Sequence, residues 1–136
     1  GKAGIPQVVS VGALDMVNFG PWDTVPPQFL ERNLYKHNPT VTLMRTTADE
    51  LVQIGTEIAV RIADAKGKTT LMLPLKGVSA IDVEGAPFYD AEADAALFDT
   101  LKTKLAGSAV EIVEMDTDIN DAEFAVAAAK KLISLL

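Results

Sequence analysis

The chain has 136 residues, 49% of them hydrophobic and 23% charged, which allows one ordinary hydrophobic core and excludes disordered and collagen-like classes. Twelve basic against nineteen acidic residues give a formal charge of −7, with no cluster of Lys and Arg to follow a phosphate backbone, so nucleic acid is not an expected partner. No cysteine is present, which excludes disulfides and thiolate metal sites. No apolar run reaches the roughly 18 to 20 residues of a bilayer span, and the start lacks the apolar core of a secretory signal. A cytoplasmic protein that does not enter the membrane is the expectation.

Gln7 to Val11 is an apolar run of strand character that opens into the loop Gly12–Gly20, carrying Asp15 and Asn18. The segment from Gly12 to Thr46 is long for a connection in a compact domain, yet Met16, Val17, Phe19, Trp22, Phe29, Leu34, Tyr35, Leu43 and Met44 all call for burial. It reads as an apolar excursion suited to packing on a neighbouring subunit, with a short helical turn starting at Pro26-Pro27. Thr47 and Glu50 form a capping box for a first helix, whose inner face is Leu51, Ile54, Ile58 and Ile62 and whose stop is Gly67. Gly55 within it costs about 1 kcal/mol against Ala and predicts close approach to the sheet. A second strand, Thr69–Leu73, is followed by a helix from an Asp90 cap to a Gly107 stop. A third strand, Val110–Met115, carries Glu111 and Glu114 and so belongs near a sheet edge. A last helix begins with a capping box at Asn120–Glu123.

Alternating strands and helices predict α/β architecture: a three-layer Rossmann-like parallel sheet with helices on both faces. Three strands make a thin sheet, and Lys2-Ala3-Gly4-Ile5-Pro6 resembles the exit from an earlier helix. The expectation is one α/β domain over 1–136, truncated, with a preceding strand–helix unit outside it or supplied by a partner.

In such sheets ligands sit outside the carboxyl ends of the strands, so the loops after the three strands should share one rim. Among their residues, Gly77 can present backbone N–H groups, Ser79 a hydroxyl, Lys76 a charge and Asp82 a carboxylate, while Pro74, Gly77 and Ser79 could equally serve the turn alone. Asp15 could bind a ribose, a metal or an amine, or cap the next turn. Arg45, just ahead of a helix N-terminus, could clamp an anion or pair internally. His37, the single histidine, lies in the polar turn Tyr35–Pro39 together with Asn38. Asp15, Asp82 or Asp116 could contribute to a magnesium site, whereas zinc lacks ligands. Neither GxGxxG nor a P-loop occurs, and no GxSxG elbow or spacing ties Ser79 to His37.

The segments GIPQVVSVGALDMVNFG, YKHNPTVTLMRTT, LPLKGVSAID, PFYDAEADAALF and DTDINDAEFA resemble the C-terminal part of an uncharacterised two-domain family, one plant member of which inhibits tobamovirus replication. The resemblance spans almost the whole chain. It implies a protein about three times this length with two Rossmann-like domains. ATP, and magnesium with it, would be held chiefly by an N-terminal domain outside this chain, which would then be one partner. A homo-oligomer is also implied. The positions matching the family's strand-end motifs are Asp15, Asn18, His37, Asn38, Arg45, Gly77, Ser79 and Asp82, candidates for a small-molecule or interdomain site. The expected role is a ligand-binding or regulatory C-terminal domain. The alternatives are a magnesium-dependent hydrolase or transferase acting on a phosphate or acyl group, and a structural dimerisation domain.

Overall fold

A computed structural model describes all residues, Gly1–Leu136, and contains two small sheets. The first is parallel: β1 (Gln7–Ser10), β5 (Thr69–Pro74) and β6 (Glu111–Met115), in the order β1-β5-β6. All six residues of β5 are buried, as its apolar sequence requires of a central strand. The helices α1 (Ala48–Ala63) and α2 (Ala91–Leu105) pack on each other over one face, and α3 (Ala122–Leu135) lies against β1 and β5 on the other. The three-layer Rossmann-like reading is thus what the chain adopts. Val11, Leu51, Leu71, Leu73, Val78, Leu97 and Leu101 form the centre of the core between the sheet and the α1–α2 layer.

The Gly12–Thr46 segment, expected as a long apolar excursion with one helical turn, has strands of its own. It folds as a second, antiparallel sheet of β2 (Met16–Phe19), β3 (Leu34–Asn38) and β4 (Val41–Arg45), in the order β2-β4-β3, with a register shift between Lys36 and Asn38. Two short 3-10 turns, Trp22–Thr24 and Pro27–Phe29, interrupt the link from β2 to β3; the second occupies the helical turn predicted at the paired prolines. β4 is central and alternates. Leu43 and Arg45 share one face with Met16 and Asn18 of β2, whereas Thr42 and Met44 share the other with Phe19, on which Phe29 packs at 5.7 Å between ring centroids. Both faces of β4 are buried, so most of this segment's apolar demand is met within the chain, and Val17, Trp22 and Leu30 stay exposed.

Three local expectations also change. A Cβ on Gly55 would meet Leu97 and Thr100 at 3.3 Å, so the close approach is to α2 and not to the sheet. α1 ends at Ala63, ahead of Gly67, whose missing side chain instead lets the backbone of Gly4 and Ile5 pass where a Cβ would lie 2.5 Å from the Ile5 carbonyl. α3 is capped by Asp121, which accepts from the Glu123 N–H, so Asn120 forms no capping box. The Thr47–Glu50 box is present in both directions.

Candidate functional site

The three strand exits do leave side by side. Ala13 N–H donates to the Val78 carbonyl at 2.8 Å, joining the first loop to the second. Leu75 N–H donates to Met115 O, Lys76 N–H to Thr117 O and Ile119 N–H to Gly77 O, joining the second loop to the third. Parallel pairing forces this arrangement, because strands that run together also end together.

On that rim the candidate residues divide into a buried network and an open cleft. In the network, Arg45 at the end of β4 reaches across to the 82–94 segment: its Nη2 lies 2.7 Å from Asp94 Oδ1 and 3.3 Å from Asp82 Oδ1, and its Nε donates to the Phe88 carbonyl at 2.8 Å. Arg45, Asp82 and Asp94 are all nearly or fully buried. Of the two readings open for Arg45, internal pairing is the one realised, and the Thr47 N–H that might have helped it hold an anion is taken by the Glu50 carboxylate. Asp82 also accepts the Val78 N–H at 3.3 Å. One guanidinium facing two carboxyls leaves one negative charge in excess in a dry site. Burial, then the hydrogen bond and charge of Asp94, push the Asp82 carboxyl up to about 8 against the pull of Arg45. A proton held on Asp82 offsets that excess charge.

A pH dependence of stability follows. A carboxyl whose folded pKa lies above its unfolded value near 4 destabilises the fold as pH rises between those two values. Asp15, raised by burial, acts in the same direction. Glu50 and Glu111, held low by Arg32 and Lys131, oppose it only in acid, as pH falls toward their own range. Between pH 5.5 and 8.5 the loss should be on the order of 3 kcal/mol, or about 10 °C in melting temperature. Melting followed by circular dichroism should show this decline, and Asp82→Asn should flatten it; equal or higher melting at pH 8.5 in the unsubstituted protein would refute the assignment.

Asp15 neither caps a turn nor faces solvent. It is fully buried, accepts the Ser79 hydroxyl at 2.7 Å through Oδ2, and leaves Oδ1 without a partner. Its carbonyl accepts Thr46 N–H, so the residue links the first loop to β4 and the second loop. Ser79 Oγ in turn accepts Ile81 N–H at 3.2 Å. Gly77 has φ +144°, and a Cβ there would stand 1.8 Å from the Asp82 carbonyl oxygen. Its N–H points to Pro74 O, so it presents no free donor. Lys76 is exposed and pairs with Asp116 at 3.2 Å. Asn38 turns its side chain onto Thr40 and shapes the β3–β4 hairpin. With Asp116 on the surface and Asp15 and Asp82 in the interior, the carboxylates offered for magnesium do not converge, and no group of three or more acidic or imidazole side chains is arranged to hold a metal.

The open cleft, of about 230 Å³, lies where the second loop meets the inner face of the antiparallel sheet. Met16, Val41, Leu43, Ala80 and Ile81 form its apolar walls, with Asn18, His37 and Ser79 as its polar groups. Three candidates far apart in sequence are thus brought to one place, and His37 shares a cleft with Ser79 after all. They do not form a hydrolytic relay: the carboxylate of Asp15 bonds the serine directly, and His37 makes no hydrogen bond with either. A larger hollow of about 400 Å³ lies further along the rim among Leu75, Lys76, Val83, Tyr89, Asp94 and Phe98.

Asp94 is not among the candidates drawn from the sequence. It sits on the buried stripe of α2 with Leu97, Phe98 and Leu101, and a carboxylate at such a position signals a buried cation.

Residues 1–136 match the C-terminal domain of the uncharacterised protein family UPF0261 over their whole length. The chain belongs to that family. This UPF0261 domain is 61% identical to a UPF0261 protein of Clostridium tetani, over 98% of the chain and 33% of that protein. It is 48% identical to a UPF0261 protein of Mesorhizobium japonicum, over 94% of the chain and 32% of that protein. The ToMV resistance protein Tm-1(GCR237) of Solanum lycopersicum is 43% identical over 96% of the chain, which covers 18% of the tomato protein. The domain therefore spans about a third of the length of the bacterial relatives it matches. No helix is long and apolar enough to cross a membrane.

Proposed function

We propose that this UPF0261 domain is a binding module whose ligand occupies the cleft between the strand-exit loop Ser79–Ile81 and the antiparallel sheet, and that it serves a longer protein as its ligand-responsive C-terminal part. The observation that carries the reading is the convergence of Asn18, His37 and Ser79 on one apolar-walled cleft at the carboxyl end of a parallel sheet.

The cleft also limits the ligand. At about 230 Å³ it exceeds the roughly 150 Å³ cavity that accepts benzene and falls below the roughly 300 Å³ at which sites for drug-sized molecules begin. One or two rings match that volume, which is small for a nucleotide. No lysine or arginine lines it, so a phosphate would meet no fixed cation. An ATP site in the intact protein, if it has one, would then belong to another part of the polypeptide. Ser79 gives its proton to Asp15 and one lone pair to Ile81, which leaves an acceptor toward the cleft. The fitting ligand is small, uncharged, largely apolar and carries an N–H or O–H donor.

Indole and benzofuran, alike in shape and different in the donor, test this by calorimetry on the full-length protein. Indole should bind, benzofuran about tenfold more weakly, and Ala80→Trp, which fills the cleft without touching the buried network, should abolish both. Binding of indole unchanged by Ala80→Trp would refute the site; equal affinities lost together in that variant would keep the site and refute the ligand chemistry. A dimer contact through the Gly12–Thr46 segment would have to use Val17, Trp22 and Leu30.

A further inference from the structure

The two outer strands of the parallel sheet are finished differently. β6 carries Glu111 and Glu114, paired with Lys131 and Lys102, and charges of this kind discourage further strand pairing. β1 is Gln-Val-Val-Ser with no charge and no register shift along its pairing with β5. Gln7 N–H donates to Lys68 O, so by the alternation of a strand Val8 and Ser10 turn their N–H and C=O groups to the unpaired side.

α3 lies beside this edge, against β1 and β5. Its inward stripe runs through Phe124, Ala128 and Leu135. At the same helical spacing its outward side presents Ala122, Val126, Ala129, Ile133 and Leu136, with Val126 51% and Ile133 70% exposed. A helix apolar on two sides is covered on two sides. Topology agrees. α1 and α2 carry the chain from β1 to β5 to β6 across one face, and α3 returns over the other face toward β1, as in doubly wound sheets that continue beyond their first strand.

We infer that the β1 edge and the outward stripe of α3 form one docking surface for the polypeptide that precedes this domain in the intact protein: a strand pairs with β1, and apolar side chains close over α3. The match is to a C-terminal domain, and the Clostridium tetani relative is about three times as long as the stretch matched, so that protein carries further polypeptide from which an attached occupant can come. Tethering gives it an effective concentration that a separate molecule lacks.

Hydrogen exchange on the full-length protein decides the point. The Val8 and Ser10 amides should exchange about a thousandfold or more slowly than unstructured amides, at every protein concentration. In the same protein Val126→Glu combined with Ile133→Glu should lower the melting temperature, whereas Lys130→Glu should not. Free exchange at Val8 and Ser10 would overturn the inference, as would an unchanged melting temperature in the double variant. Protection that disappears when the protein is diluted to monomers would overturn it in favour of a second copy of the chain.

Discussion

Arg45→Met should lower stability by about 3 to 5 kcal/mol, or about 10 to 20 °C in melting temperature, because it removes the cation and leaves its partners behind. Asp82 and Asp94 would remain buried without Arg45, and the Phe88 carbonyl would lose the Nε–H that it accepts at 2.8 Å. The penalty comes from stranded charge more than from a lost attraction, and that distinction can be measured. Asp82→Asn together with Asp94→Leu in the Arg45→Met background should restore a large part of the stability, since a set with no buried charge avoids the desolvation cost of ions. A single variant within 1 kcal/mol of the parent would show that the network holds nothing together. The consequence reaches the cleft, because Arg45 ends the strand that supplies Val41 and Leu43 to its wall and ties that strand to the segment following Ser79.

Gly77→Ala should be about as damaging, at roughly 3 kcal/mol or more, through backbone geometry alone. The position has φ +144°, and the Asp82 carbonyl oxygen stands 1.8 Å from where a Cβ would go. Relief requires moving the turn that carries Ser79, whose carbonyl accepts the Asp82 N–H at 3.3 Å. Gly85 is the matched control. Its φ is +86° with nothing within 4 Å of a Cβ, so Gly85→Ala should cost only the 1 to 2 kcal/mol of a left-handed residue. Urea unfolding of the two variants separates the readings: equal, small losses would mean that the close approach at Gly77 is not a constraint.

Much of the parallel layer was legible because its signals are local. Apolar runs, the Thr47–Glu50 box and the Asp90 cap each bear on a few neighbouring residues, and all appear as read. The antiparallel sheet was not legible. Its strands are four or five residues long and joined through paired prolines and 3-10 turns, and β4 is buried on both faces, so no clean alternation marks it. The site residues divide along the same line. That the loops share a rim follows from strand direction, but which residues meet there depends on long-range register. Asp15 and Ser79 lie 64 positions apart, and Arg45 and Asp94 are separated by 49. Of the two roles that the sequence leaves open for Gly77, N–H donation and the turn, the structure realises the turn, through close approach to Asp82. Asp94 could have been found from its place on an apolar stripe.

Titrating indole into isotopically labelled full-length protein and following backbone amide shifts asks whether the proposed cleft beside Ser79 is where this domain meets its ligand. Saturable shifts confined to Met16–Asn18, His37, Leu43 and Ser79–Ile81 are the predicted result. Shifts that leave these amides unmoved and gather elsewhere, or none at any concentration, would contradict it.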